Sequence, residues 1–297
     1  MRQRVRAIWS GVPKPHTLFI NSPPNTERRF RHISGWLFCV ISLLCFAGCN
    51  APDKPSLPPK PHVSASAPHK TSPPEKSGEA KLAILLDDLG SDRRAAEQIF
   101  ALPYPITISV LPEHTQSVEI AEEARRRGYE VMLHLPMQSV GKEQPERQEL
   151  QPGMPAANVA SLVAQFLGEV PGVKGVNNHQ GSQATADMAL MSELMPVLRQ
   201  HDLFYVDSRT TAATVAYDAA RKEDVPAAFR NVPFLDDVDN VAAIEKQIAL
   251  ALRGAREKGE AIAIGHPHPA TLQALRVMLP RAKAQGVKLV FVSELVH

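Results

Sequence analysis

From Lys81 onward, short apolar runs alternate with longer amphipathic stretches, and this alternation is the strongest constraint on the fold. The apolar runs predict strands at residues 82–86, 106–111, 129–133, 173–176, 203–206, 229–232, 261–264 and 288–292. The amphipathic stretches predict helices at residues 92–102, 117–127, 156–167, 186–200, 242–258 and 271–285. Repeated strand–helix units favour a parallel sheet, and strands that are apolar at nearly every residue are buried on both faces. We therefore expect an α/β domain over residues 80–297, with either a doubly wound sheet or, favoured by seven to eight strands in this length, a distorted or incomplete (β/α) barrel.

The first fifty residues have the pattern of an export signal. A basic segment precedes the apolar stretch 36–47, which is too short to span a bilayer comfortably and runs into Gly48-Cys49. Small residues before a cysteine are typical of a bacterial lipoprotein signal. The pattern predicts a signal sequence at residues 1–48 and lipidation of Cys49; an ordinary secretory signal or an uncleaved anchor is the alternative.

Residues 49–79 are rich in proline, serine and lysine and have almost no large apolar side chains. Such a composition predicts a disordered linker in which the prolines favour extended conformations. A lipid on Cys49 would attach the chain to a membrane facing the periplasm, which is the outer membrane if the host has one. The linker would then hold the folded domain at a distance from that membrane.

The charge pattern argues against a nucleic-acid partner. The formal net charge is only +2, and the densest basic cluster outside the leader, residues 125–127, ends a predicted helix, where positive charge suits the helix dipole. All three cysteines precede residue 50, so thiol chemistry and disulfides are not expected in the domain.

Polar residues follow five of the predicted strands. They are Asp87 and Asp88, then His134, then Asn177, Asn178 and His179, then Asp207 to Thr211, and finally His266 and His268. Singly, an Asp in such a place often caps a helix, and a lone His is more often structural than a ligand. The carboxyl ends of parallel strands meet at one rim, however, so these side chains are expected to share one site.

Imidazole and carboxylate groups without thiolates suit Zn²⁺, or another first-row divalent ion, in a site that keeps a position open for water or substrate. With a nearby carboxylate to accept a proton, such a site suits the hydrolysis of an amide or ester. A serine nucleophile is not favoured, since the sequence contains no Gly-x-Ser-x-Gly motif. It also contains neither a Walker loop nor a dinucleotide-binding glycine pattern.

These motifs, in this order, resemble the divergent polysaccharide deacetylase family, a branch of the NodB-like carbohydrate deacetylases with a distorted (β/α) barrel. The resemblance covers about residues 80–297. It rests on the segments Leu85-Leu86-Asp87-Asp88-Leu89-Gly90, His134-Leu135-Pro136-Met137, Asn177-Asn178-His179-Gln180-Gly181-Ser182, Asp207-Ser208-Arg209-Thr210 and Gly265-His266-Pro267.

The resemblance implies that Asp87 is the general base, that Asp88 and His134 are metal ligands, and that His266 protonates the leaving amine. Two departures matter: Gln138 stands where the second histidine of the His-x-x-x-His motif is usual, and a segment around His179 replaces the usual Arg-Pro-Tyr-like one. We therefore expect His179 to be the third metal ligand. Asn177, Asn178, Arg209 and Arg230 are expected to bind sugar hydroxyls or an anionic group, with loop hydrogen bonding as the alternative.

The favoured function is a metal-dependent hydrolase that removes N-acetyl groups from an envelope polysaccharide or peptidoglycan. Its alternative is a catalytically inactive carbohydrate-binding or scaffold lipoprotein, which the missing second histidine suggests. Adjacent carboxylates repel each other without a cation, and this argues against complete loss of the metal site. A third hypothesis is hydrolysis of a glycosidic bond or an ester, which the fold alone does not exclude.

Overall fold

A computed structural model of the chain describes residues 79–141 and 143–297. The predicted signal sequence, the lipidation site Cys49 and nearly all of the predicted linker lie outside the described residues. Within the described part, no helix combines the length and the apolar character needed to cross a membrane.

Strands and helices alternate through the domain, as the sequence predicts. The strands are β1 (Ala80–Leu89), β2 (Ile106–Val110), β3 (Glu130–Met137), β4 (Gly175–Gln180), β5 (Phe204–Asp207), β6 (Ala227–Phe229), β7 (Glu260–Gly265) and β8 (Val287–Val290). The helices are α1 (Arg93–Phe100), α2 (Ser117–Arg126), α3 (Ala156–Glu169), α4 (Met188–Gln200), α5 (Ala216–Lys222), α6 (Val241–Lys258) and α7 (Pro269–Met278).

The strands form one curled parallel sheet in the order β6-β5-β4-β3-β2-β1-β7, with β8 also paired to β1. The two ends of this order approach each other: the Asn231 amide N–H donates to the carbonyl of Ile262 at 3.0 Å, and the Asn231 side chain accepts from the Ile262 amide at 2.6 Å. The expectation of an incomplete parallel barrel is confirmed.

Strand β8 occupies the first part of one edge of β1. Residues 80–83 of β1 pair with β8, and from Ile84 onward the pairing passes to β2, while β7 follows the opposite edge. Because a strand has only two edges, β8 is inserted between β1 and β2 at the amino-terminal end of the sheet. The turn after β8 is held there by amide N–H groups of Val292 and Ser293, which donate to Thr107 Oγ1 and to the buried Glu130.

Alternate strand residues face two different apolar layers. Leu82, Ile84 and Leu86 pack between the sheet and the helices, whereas Ala83 and Leu85 face the interior of the curve. The interior layer also contains Met132, Phe204, Val206, Ile262, Ile264, Val290 and Val292. Apolar side chains therefore fill the amino-terminal part of the interior and leave its carboxyl-terminal mouth to polar residues.

The structure differs from the prediction mainly at element ends. Strands β1, β3 and β4 continue through the polar residues that were expected to follow them, and β6 ends at Phe229. Helix α7 ends at Met278 and is followed by two short 3₁₀ turns. The first of these contains Pro280, which has no amide hydrogen for the helix ladder. Helix α5 was not predicted. It is short, and its buried face consists of alanines, which produce little amphipathic signal.

Gly175 shows how tightly the interior is packed. A Cβ atom at this position would overlap the ring of Phe204. We expect Gly175→Ala to lower the free energy of unfolding by about 1–3 kcal/mol, since overpacking forces side chains and backbone to shift. Urea denaturation measures this effect. Gly254→Ala is the control: no described atom lies within 4 Å of its added Cβ, so the change in mid-helix should raise stability by up to about 1 kcal/mol.

Candidate active site

An irregularity in β1 brings two consecutive carboxylates to the same side of the strand. Leu86 pairs with Ile108 and Leu89 with Val110, so β1 holds one more residue than β2 between these pairs. Within this bulge Asp88 has a φ of 58°, an unfavourable value for a residue other than glycine. In a regular strand, neighbouring side chains point to opposite faces. The bulge instead lets Asp87 and Asp88 both reach the carboxyl-terminal mouth.

Asp88, His134 and His179 converge in this mouth. Asp88 Oδ1 lies 3.1 Å from His134 Nε2 and 3.0 Å from His179 Nδ1. One ligand atom from each of the three residues lies within 4.8 Å of the others. His134 comes from β3 and His179 from the neighbouring β4, at the positions that face the interior.

The oxygen at the centre of this group fits a metal ion. Asp88 Oδ1 is buried and accepts no hydrogen bond from any described residue, although two imidazole nitrogens lie close to it. A buried carboxylate oxygen without a donor is costly, and a cation would satisfy it. Two imidazoles and one carboxylate are a donor set that Zn²⁺ accepts while keeping a position open. The residues present therefore fit a divalent metal.

Mutual electrostatics keep Asp88 ionised, whereas His134 must lose its proton before it can bind a metal. Burial would raise the pKa of Asp88, but the imidazoles of His134 and His179 outweigh it and hold that pKa well below its ordinary range. Burial would lower the pKa of His134, yet the carboxylates of Asp87 and Asp88 reverse the direction and raise it. The group thus stabilises an ionised Asp88, the form that binds a cation.

Asp87 lies deeper than Asp88 and is almost completely buried. Its Oδ2 is 3.8 Å from His134 Nε2, and both of its carboxylate oxygens accept from the Asn177 side-chain amide. Burial raises the pKa of Asp87, and the imidazoles of His134 and His266 oppose this shift without cancelling it. A carboxylate with a raised pKa beside a candidate metal site is suited to accept a proton.

His266 faces the same mouth from the opposite side, where β7 ends. Its Nε2 lies 3.8 Å from Asp88 Oδ2, and its Nδ1 lies 3.0 Å from Asp236 Oδ1. Asp236 also accepts from the His266 amide at 2.6 Å and from the Thr271 hydroxyl at 2.8 Å. Burial would lower the pKa of His266, but Asp236, Asp87 and Asp88 together raise it to about 9. These carboxylate neighbours therefore favour the protonated form of the His266 ring.

A second group of potential ligands consists of Asp236, His266 and His268. Because Asp236 already accepts three hydrogen bonds from His266 and Thr271, its carboxylate is engaged in holding His266. These contacts give Asp236 a structural explanation that does not require a second ion.

Glu146 lies at the outer side of His179. Its Oε1 is 3.7 Å from His179 Nε2, and its Oε2 is 3.3 Å from His114 Nε2. The loop between β3 and α3 thus places a carboxylate near His179 Nε2, whereas His179 Nδ1 faces Asp88. At 3.7 Å the contact with His179 is electrostatic and is longer than a hydrogen bond.

The four residues predicted to contact substrate lie in two settings. Asn177 and Asn178 are buried and bond to protein groups. Arg230 is partly buried, donates to the backbone carbonyls of Ser208, Val232 and Arg209, and has its guanidinium 4.0 Å from the Phe234 ring centre. Arg209 is exposed, and its guanidinium lies 3.6 Å from the Phe229 ring centre. The two arginines therefore lie at the rim beyond β5 and β6.

Sequence reasoning did not assign roles to Ser109, Ser208 and Glu146. The two serines contact the Asn177 side chain inside the barrel. Ser109 lies at an interior-facing position of β2, where Thr107 and Ser109 alternate with three apolar residues. This two-residue alternation was the available signal. Glu146 lies in a loop without a periodic pattern, and the sequence contained no comparable signal for it.

Known proteins resemble this chain over most of the described domain. The family described as divergent polysaccharide deacetylase matches residues 84–296. The chain belongs to this family. It is 38% identical to the uncharacterized protein YibQ of Escherichia coli K12 over 199 residues, which are 67% of this chain and 62% of that protein. It is also 38% identical to an uncharacterized protein of Haemophilus influenzae over 201 residues, 68% of this chain and 71% of that one.

A solved structure shows the same fold. The crystal structure of an uncharacterized protein from Agrobacterium tumefaciens C58 superimposes with a TM-score of 0.70 at 23% sequence identity. The superposition covers 75% of this chain and 92% of that protein. At this identity the likeness concerns the fold, and the chemistry has to be argued from the residues described above.

Proposed function

We propose that this protein is a metal-dependent hydrolase that removes N-acetyl groups from a polysaccharide or peptidoglycan of the cell envelope. The observation that carries the proposal is the buried Asp88 Oδ1, which accepts no hydrogen bond from the described residues and faces imidazole nitrogens of His134 and His179. Membership of the divergent polysaccharide deacetylase family supports a polysaccharide substrate.

The proposed chemistry divides a proton transfer between two residues. Asp88, His134 and His179 would hold the metal, with Zn²⁺ favoured by the donor set, and the ion would supply Lewis-acid polarisation of water and of the acetamide carbonyl. Asp87 accepts the proton of the attacking water. His266 donates a proton to the amine nitrogen as the carbon–nitrogen bond breaks, so one amide and one water become one acetate and one amine.

Members of the wider superfamily usually have a histidine where this chain has Gln138. The proposed scheme does not need that histidine. His179 comes from the adjacent strand β4 and places its Nδ1 3.0 Å from Asp88 Oδ1. Its position supports a complete set of three protein ligands and weakens the case for an inactive scaffold, which rested on the missing histidine.

Arg209 and Arg230 are proposed to bind the glycan at the rim, through hydroxyls or an anionic group. The membrane anchor at Cys49 and the linker of residues 49–79 are proposed to place the domain within reach of envelope polymers. We also propose an exported, lipid-anchored location facing the periplasm, which rests on the sequence pattern alone.

The direct test is acetate release by the purified full chain. The protein is stripped with a chelator, reloaded with Zn²⁺ and incubated with N-acetylglucosamine oligomers and with peptidoglycan fragments. We expect acetate release that requires the metal. Stoichiometric zinc binding without acetate from any N-acetylated glycan would contradict deacetylation and favour the carbohydrate-binding alternative.

The pH profile tests the role given to His266. As a proton donor it must be protonated, so activity should fall as pH rises through its pKa, which its carboxylate neighbours raise to about 9. Asp236→Asn removes the negative charge of the carboxylate that contacts His266 Nδ1. The pKa of His266 should therefore fall, and the alkaline limb of the rate profile should move to lower pH. Thr271→Val is the control, since it removes a hydrogen bond to Asp236 but no charge. An alkaline limb that stays in place in Asp236→Asn would exclude His266 as the proton donor.

A further inference from the structure

Asn177 lies between the two residues that carry the proposed chemistry. Its side chain is completely buried. The amide nitrogen donates to Asp87 Oδ1 at 3.0 Å, to Asp87 Oδ2 at 3.1 Å and to Ser208 Oγ at 3.1 Å. The amide oxygen lies 3.1 Å from His134 Nδ1 and accepts from Ser109 Oγ. One neutral side chain thus contacts both the proposed base and a proposed metal ligand.

We propose that Asn177 is a positioning residue: its amide nitrogen holds the Asp87 carboxylate, and its amide oxygen fixes His134 as the tautomer protonated on Nδ1. The inference rests on the proposed function for the roles of Asp87 and His134. It differs from the expectation that Asn177 contacts substrate, because every polar atom of the side chain is occupied by a protein group.

The chemistry of its neighbours determines which way the amide points. A carboxylate only accepts hydrogen bonds, so the group facing Asp87 must be the NH₂. The reversed orientation would place the Asn177 carbonyl oxygen about 3 Å from both oxygens of Asp87, which is repulsive. The oxygen therefore faces His134 and Ser109.

This orientation in turn determines the tautomer of His134. An amide oxygen cannot donate, so His134 Nδ1 must carry the proton in their 3.1 Å contact. The Nε2 of the neutral ring then presents its lone pair toward Asp88 Oδ1, 3.1 Å away, which accepts no hydrogen bond from the described residues. A lone pair and a carboxylate oxygen that face each other in this way are arranged for a shared cation.

Asn178 provides an internal comparison. It is equally buried, but as the next residue of β4 it points to the other face of the strand. Its amide donates to the Gln180 carbonyl at 2.8 Å, and its oxygen accepts from the Ser208 amide at 2.9 Å and from the Tyr205 hydroxyl at 3.2 Å. Asn178 therefore holds strand ends together and contacts neither Asp87 nor His134 in these bonds.

The first experiment compares Asn177→Ala with Asn178→Ala in the full chain. Zinc affinity is measured by competition with a chelating dye, and the His134 tautomer by ¹⁵N NMR of the metal-free protein at a pH where the ring is neutral, with the signal assigned by its loss in His134→Gln. We expect Nδ1–H in the wild type, a loss of this preference in Asn177→Ala and about 10–100-fold weaker zinc binding. Asn178→Ala should change neither quantity.

Asn177→Asp separates the two contacts and does not create a cavity. The aspartate keeps an oxygen for His134 and Ser109, but it places a second carboxyl about 3 Å from Asp87. Two buried carboxyls this close share one proton, and that proton occupies the proposed base. We expect the Nδ1–H tautomer and zinc binding to persist while acetate release falls by at least about 100-fold. This variant also decides the matter if Asn177→Ala does not fold.

The outcomes separate the positioning role from the proposed function. A wild-type His134 protonated on Nε2, or a tautomer and zinc affinity unchanged in Asn177→Ala, overturns the contact with His134. Wild-type acetate release by Asn177→Asp overturns the contact with Asp87. If the wild type releases no acetate at all, the proposed function fails, whereas the tautomer and zinc measurements still test Asn177.

Discussion

Asp88→Ala is expected to abolish zinc binding by the purified protein. The substitution removes the oxygen that lies 3.1 Å from His134 Nε2 and 3.0 Å from His179 Nδ1, and with it the carboxylate of this ligand group. Loss of a residue that hydrogen-bonds to a metal ligand typically weakens metal affinity by about 10–100-fold, and loss of the ligand itself should weaken it more. Elemental analysis after dialysis against limiting Zn²⁺, with affinity from chelator competition, measures the effect.

Asp92→Ala is the matched control for this prediction. Asp92 lies four residues further on and caps α1, where its carboxylate accepts from the amides of Arg94 and Ala95. Its replacement should lower stability by about 1 kcal/mol and leave zinc binding unchanged. Near-stoichiometric zinc with wild-type affinity in Asp88→Ala would show that the metal site proposed here does not exist.

Asp87→Asn is expected to reduce acetate release by about 10²–10⁴-fold, the usual contribution of a positioned general base. The zinc content should persist, because the Asp88, His134 and His179 group is intact in this variant. An asparagine at 87 still offers an oxygen to the Asn177 amide, so the buried network loses a charge but keeps a hydrogen bond. The measurement pairs kcat from acetate release with zinc content on the same sample.

Asp207→Asn is the control for Asp87→Asn. Both carboxylates are buried at the ends of strands, and burial raises the pKa of both. The Asp207 side chain accepts instead from the Arg209 amide and the Thr214 hydroxyl, which hold the loop after β5. Loss of zinc together with activity in Asp87→Asn would make Asp87 a ligand rather than the base.

The bulge in β1 was not predicted from the sequence. An apolar run followed by two carboxylates indicated that the strand ends before Asp87, yet β1 continues to Leu89. The polar side chains at the mouth break the hydrophobic pattern, while the backbone ladder with β2 continues around one extra residue. Hydrophobic periodicity reports which side chains are buried in apolar surroundings and does not report backbone pairing. The same reason explains why β3 and β4 are longer than predicted.

The grouping of His179 with Asp88 and His134 was predicted from the family resemblance and from their places at strand ends, and the structure brings their ligand atoms together. The contrast between Asn177 and Asn178 was not predicted, because two identical adjacent residues differ here only in the strand face they occupy. Reading that face requires the register of β4 against β3, which pairs Asn177 with His134.

The α/β class, the alternation of parallel strands with helices, and the place of the polar residues at one end of the sheet were all predictable from the sequence. These properties follow from local periodicity and from the common direction of parallel strands. The tertiary fold was needed to show which polar atoms meet, with the two carboxylates beside two imidazoles and Asp236 behind His266, and to show that β8 is inserted beside β1. Such contacts join residues far apart in the chain, as between Thr107 and Val292, which are 185 positions apart. They depend on register and on a backbone bulge, which composition and periodicity do not encode.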